Sequence, residues 1–198
     1  MSQDVHAYID SNKKRFADEL FDFLRIPSVS ARSEHNQDVA RAAEWIAERT
    51  RELGMKVTVH ATKGHPIVVA EYRDAGAQAP TVLIYGHYDV QPVEPLDLWK
   101  SPPFEPVVRD GKIFARGSVD DKGQLYLHVK AAEAHIKAAG KLPVNLVMVF
   151  EGEEEVGSEN LLPFIQRASP PPPRAGRREG ARPRAADARS RRSRRCGP

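Results

Sequence analysis

Apolar positions along the chain recur first at helical spacing and then in short strand-like runs. Between residues 4 and 25, Val5, Tyr8, Ile9, Phe16, Leu20, Phe23 and Leu24 fall near one face of a helix. Pro27 in "RIPSVS" ends it, because the residue before a proline is pushed out of the helical region. A second helix runs from about Asn36 to Leu53, with Val39, Ala43, Ile46 and Leu53 as its stripe and Gly54 placed to cap it. The pattern then changes: "MKVTVH" and "IVVAEY" read as strands, and "TVLIYG" as a buried one. "VVRDGKIFARG" reads as a hairpin turning at Asp110-Gly111. Residues 121–140 predict a helix with Leu125, Leu127, Val129, Ala132 and Ile136 as apolar positions, stopped by Gly140. "VNLVMVFE" is another buried strand, and "SENLLPFIQR" opens a further helix with Ser158 as candidate N-cap. Helices alternating with apolar strands predict an α/β domain, a mixed sheet flanked by helices.

The character breaks after Arg167. Residues 168–198 contain no Leu, Ile, Val, Phe, Met, Tyr or Trp. Such a segment cannot bury enough apolar surface to offset the entropy of ordering, so it is expected to be a disordered Arg/Pro/Ala-rich tail. The chain divides into a domain over residues 1–167 and a low-complexity tail over 168–198. Charge divides the same way. The tail holds ten Arg against Glu179 and Asp187, a balance of +8, so the chain's net +3 leaves −5 for residues 1–167. The tail lacks aromatic residues for base stacking, so no specific nucleic-acid partner is expected. Its composition also fits a reading-frame change in GC-rich coding sequence.

Cys196, in the tail, is the single cysteine, which rules out an intramolecular disulfide. "MSQDVHAYIDSNKKRFADEL" lacks the apolar core of a signal peptide. No apolar run approaches the roughly 20 residues of a membrane span. These features predict a cytoplasmic chain with no membrane partner.

Three polar clusters follow apolar segments. In "LIYGHYDVQP", His87 and Asp89 stand two apart and point to the same side of an extended chain. That juxtaposition suits a metal ligand with a partner fixing its tautomer, although strand-end polar pairs are commonly structural. In "ARGSVDDKGQ", Asp120 and Asp121 precede a helix, where an Asp also serves as N-cap. In "EGEEEVGS", four carboxylates fall within five positions. Like charges so crowded repel, unless the segment is solvated or a cation compensates. Together the clusters supply one imidazole and several carboxylates at strand ends, the ligand set of a zinc-type site.

The motifs "YGHYDVQPVEP", "PPFEPVVRDGKIFARGSVDDKG" after Trp99, and "FEGEEEVGS" resemble the co-catalytic zinc hydrolases. That family includes aminoacylase, carboxypeptidase G and succinyl-diaminopimelate desuccinylase, and these motifs are most similar to its carnosinase-like dipeptidase branch. The resemblance covers roughly residues 5–167. It implies a zinc-exopeptidase-like catalytic domain holding two divalent ions, zinc first and manganese or cobalt as alternatives. It implies that His87 binds one metal, Asp120 bridges both and Glu155 binds the second. It makes Asp89 the residue that orients His87, and Glu154 the general base. Asp121 takes the position after the bridging Asp, where the family has a cis peptide. Which of Glu153, Glu154 and Glu155 does what rests on aligning "EEVGS"; spacing alone does not choose.

The resemblance also implies a further acidic ligand, a late His ligand and a dimerising lid domain, none of which the sequence contains. No His follows His135. The expectation is a truncated catalytic domain, impaired in hydrolysis, with strands missing beside "VNLVMVF". Its family-level activity is metal-dependent cleavage of a small peptide beside a free carboxylate. An N-acyl amino acid deacylase of the same family and a non-catalytic binding fragment remain alternatives. His60, His65, His128 and His135 are expected to be structural, and Trp99 and Phe104 to be packing residues.

Overall fold

The N-terminal stripe becomes α1 (Ser2–Leu24) and the second becomes α2 (Asn36–Arg51) in the computed structural model, which describes residues 2–168. The chain continues through β1 (Lys56–His60), β2 (Ile67–Tyr72), β3 (Thr81–His87), β4 (Val107–Arg109), β5 (Lys112–Phe114), α3 (Lys122–Ala139), β6 (Asn145–Glu151) and α4 (Leu161–Ala168). β4 and β5 form the hairpin about Asp110-Gly111, both at positive φ. Gly140 adopts the left-handed conformation that ends α3, as its place in the sequence required. The basic tail lies, past Ala168, outside the described residues.

The main sheet is mixed, in the order β1-β2-β6-β3. β1, β2 and β6 pair antiparallel, and β3 runs parallel to β6. Alternation along the strands sorts their side chains. Val68, Ala70 and Tyr72 of β2 lie opposite Phe150, Met148 and Leu146 of β6. These six share one core with Val39 and Ile46 of α2 and Leu125 and Val129 of α3. Phe23 of α1 stacks on Trp45 of α2 at 4.4 Å between ring centroids, which seats α1 on this layer. α1 is tied to α3 by a polar network: Lys130 bridges Glu19 and Glu133, and Arg15 reaches Glu133.

The opposite face is different. Val69, Leu83, Tyr85 and Val149 line an open trough of about 650 Å³ there, closed along one side by Phe164 and Ile165 of α4. The mixed sheet with helices on its faces is the predicted architecture.

Several local expectations change. β3 is not a buried strand: Leu83 is 67% exposed, because β3 is an edge strand and its trough-side residues have little above them. β6 does not lack neighbours; it is central, between β2 and β3, and the edge strands are β1 and β3. Leu127 lies on the solvent side of α3 and is exposed. Ser158 caps nothing: it has φ 53° and α4 starts three residues later. No helix among the described residues is long and apolar enough to cross a membrane.

Candidate active site

The parallel pair β3/β6 ends in register, with His87 opposite Glu151. Sites in open α/β sheets collect beyond such strand ends. His87 is the last residue of β3, Asp120 stands in the turn before α3, and Glu155 lies in the single 3₁₀ turn Glu154–Val156 after β6. One ligand atom from each of His87, Asp120 and Glu155 lies within 4.8 Å of the other two. The three clusters therefore converge, and the residues that meet are the three to which the resemblance gave metal roles.

Asp89 is fully buried behind this triad. Its Oδ2 accepts hydrogen bonds from Ser30 Oγ at 2.6 Å and from the Glu155 backbone N–H at 3.1 Å. Its Oδ1 lies 3.3 Å from His87 Nδ1 and has no other partner among the described residues. His87 Nδ1 also sits 3.2 Å from the Asp89 carbonyl oxygen. Both contacts hold the Nδ1 side of the ring inward and leave Nε2 directed at Asp120, 3.1 Å away. Asp89 thus holds His87 through its imidazole and Glu155 through its backbone. Ser30 reaches Asp89 because residues 28–30 run beside 88–90, joined by a Val29–Val90 bridge and by a hydrogen bond from Ser28 Oγ to the Tyr88 carbonyl.

The two adjacent aspartates face different ways. Asp120 is exposed and faces His87 Nε2, while Asp121 Oδ2 accepts the His87 N–H at 3.1 Å. The peptide between them is cis, as the resemblance implied. Asp121 makes no side-chain cap on α3. The turn is packed so tightly that a Cβ on Gly123 would stand 2.0 Å from the Ser118 carbonyl oxygen.

The acidic segment divides into distinct environments. Glu153 turns away: its Oε1 accepts from the His65 N–H at 3.0 Å and its Oε2 from the Asn160 N–H at 3.2 Å, tying a loop to the start of α4. Glu154 keeps its side chain 45% exposed, with Oε2 3.8 Å from His87 Nε2. Glu155 Oε2 accepts from Gln91 Nε2 at 2.7 Å. The choice among the three that spacing left open is narrowed here, since Glu153 is engaged elsewhere.

The charges are uncomfortable as they stand. Burial lowers the His87 pKa, but Asp89, with Asp121 and Glu154 beyond it, outweighs burial and lifts it to about 9. Burial pushes the Asp121 and Glu155 carboxyls upward; the Gln91 hydrogen bond only partly offsets the shift at Glu155. A cation among these oxygens would relieve the crowding. One imidazole nitrogen and two carboxylates within mutual reach match zinc-type donors, so the residues fit a divalent metal.

Sequence reasoning passed over Ser30, Gln91, Glu151 and Lys122. The Lys122 amine is fully buried and donates to the carbonyls of Phe23 and Ile26, which anchors the start of α3 to the end of α1; burial draws its pKa down to about 7. Only its adjacency to "DD" could have flagged it. His60 rests against the ring of Phe164, and Trp99 donates to the Val93 carbonyl, both packing roles.

The family model for peptidase family M20/M25/M40 matches residues 83–186, a span holding all three clusters. The chain belongs to this family. Among relatives, a Cys-Gly metallodipeptidase of Schizosaccharomyces pombe is 38% identical over 173 residues, covering 82% of this chain and 36% of its own length. The solved structure of human carnosine dipeptidase 1 superposes with a TM-score of 0.76 at 29% identity, over 83% of this chain and 37% of that one. A di-peptidase structure from Saccharomyces cerevisiae gives the same TM-score of 0.76 at 33% identity, over 83% of this chain and 37% of that one. This M20 chain therefore spans about a third of the length of the curated relatives it matches.

Proposed function

We propose that the chain carries the metal centre of a dipeptidase-type hydrolase, which cleaves a peptide bond next to a free carboxylate. The observation that supports it best is the meeting of His87, Asp120 and Glu155 within 4.8 Å. The names of the relatives, Cys-Gly metallodipeptidase and carnosine dipeptidase, favour short peptides as substrates.

His87 and Asp120 would hold one ion, and Asp120 and Glu155 a second, with Asp120 shared between them. When bound, two divalent cations, zinc first and manganese or cobalt as alternatives, acidify water and polarise a carbonyl. Glu154 then serves as the general base: exposed, and within 4 Å of His87 Nε2, it can take a proton from an attacking water. It returns that proton to the leaving amine. Asp89 keeps the His87 tautomer fixed, because an imidazole held at Nδ1 presents only Nε2. Gln91 holds one oxygen of Glu155 and so limits how that carboxylate can turn.

Two measurements separate the parts of this reading. Titration of the full chain with zinc should show binding that His87→Ala abolishes and Glu154→Gln retains. On a dipeptide panel with zinc or manganese added, any hydrolysis should vanish in Glu154→Gln, a drop of at least 10²-fold for loss of a general base. Zinc binding undisturbed by His87→Ala would rule out the centre.

A further inference from the structure

We propose that Glu151 is a positioning residue for the loop that carries Glu154 and Glu155, and that it works by clamping Ser158. The proposal rests on the metal-centre reading above. Glu151 ends β6 directly opposite His87, with its side chain almost wholly buried. A buried carboxylate is costly unless donors meet it, and an aliphatic residue would fill the same place without that cost. Two donors meet one oxygen here. Tyr85 Oη donates to Oε1 at 2.6 Å from β3, and Ser158 Oγ donates to the same atom at 2.8 Å from the far end of the loop. The second oxygen, Oε2, is buried and accepts no hydrogen bond among the described residues.

The chain between Glu151 and Ser158 is a closed circuit. The N–H groups of Val156 and Ser158 both donate to the Glu153 carbonyl, at 3.1 and 2.8 Å. Gly157 at φ 99° and Ser158 at φ 53° double the chain back, bringing Ser158 Oγ onto the carboxylate seven residues earlier. Two consecutive left-handed residues would both suit glycine. Serine stands at the second despite the strain, and what it offers over glycine is the hydroxyl that Glu151 binds. The acidic residues enclosed by this circuit are Glu153, Glu154 and Glu155. Releasing Ser158 frees the downstream end of the turn, and the oxygens of Glu154 and Glu155 then lose their fixed distance from His87.

The test uses the full chain, cobalt(II) as an optical probe, and a thermal melt as control. Ser158→Gly removes the hydroxyl while easing the backbone, so the melting temperature should hold or rise. Cobalt(II) affinity should nonetheless fall about ten-fold, the scale of lost outer partners at metal sites, and the visible absorption bands should shift. Glu151→Gln keeps an oxygen acceptor for Ser158 and should recover most of the affinity that Glu151→Ala loses. Ser158→Gly with wild-type affinity and bands would overturn the proposal, whatever its melting temperature. His87→Ala distinguishes the other failure: if it binds cobalt(II) as well as the unaltered chain, the centre itself is wrong and the clamp falls with it.

Discussion

Gly123 shows how little freedom the site's residues have. Replacing a helical glycine by alanine ordinarily stabilises a protein by up to about 1 kcal/mol. Here the added methyl would stand 2.0 Å from the Ser118 carbonyl oxygen, which is backbone and cannot swing aside. The segment it would displace, residues 118–121, carries Asp120 and Asp121. Gly123→Ala should therefore reverse the usual sign, lowering the urea midpoint by an amount worth about 1–3 kcal/mol, and should weaken metal binding with it. An unchanged or raised midpoint would show that the turn yields more easily than its packing implies. The residues that meet at the site were legible through the motifs that carry the family resemblance, since strand-end polar pairs taken singly are commonly structural. Ser30 and Gln91 were not, because their contacts with Asp89 and Glu155 cross 59 and 64 residues of chain. No local pattern marks such a pairing. Glu153 illustrates the converse, since it is identical in type to its neighbours and distinguished only by Asn160 and the His65 N–H.

Elements were easier to read than their attachments. The 3.6-residue period of α1, α2 and α3 and the glycines that follow α2 and α3 survive folding nearly intact. What holds α1 against α3 is invisible in that pattern, because Arg15, Glu19, Lys130 and Glu133 look like ordinary surface charges. In the structure Glu133 and Lys130 are buried, and Lys130 joins both carboxylates. Burial alone would raise the Glu19 pKa, but hydrogen bonds from Lys130, Tyr126 and Arg15 carry it from 4.5 down to about 2. A carboxyl depressed on folding contributes stability that is complete above its unfolded value and fades as pH falls toward its folded one. The α1–α3 contact should therefore weaken between about pH 4.5 and pH 2. Trp45, stacked on Phe23 of α1, reports the event. With Trp99→Phe as background, its emission should move to the red across that interval. Adding Glu19→Gln should lower stability at neutral pH and flatten the acid dependence. An equally steep acid response in Glu19→Gln would place the responsible group elsewhere.

At the scale of the molecule, the sheet is finished on one face and open on the other. Apolar runs such as "TVLIYG" read the same whether covered on both faces or on one, so the sequence could not foresee this asymmetry. Leu83, Tyr85 and Ile165 are 67, 47 and 44% exposed around the trough. β3 adds a free edge with no Lys, Glu or Pro along "TVLIYGH" to discourage pairing. A contiguous apolar surface beside an unguarded edge favours association between chains. The described portion should accordingly bind a hydrophobic dye and self-associate with rising concentration. Leu83→Lys puts a charge on the edge strand at a site already solvated. It should reduce dye binding and raise the concentration at which scattering begins, while stability stays within about 0.5 kcal/mol. Met148→Lys, on the neighbouring strand but turned to the fully buried face, should instead unfold the chain. If both substitutions were tolerated alike, the two faces would not differ as the structure has them. If Leu83→Lys alone unfolded the chain, the trough would be covered in solution by polypeptide the described residues do not include.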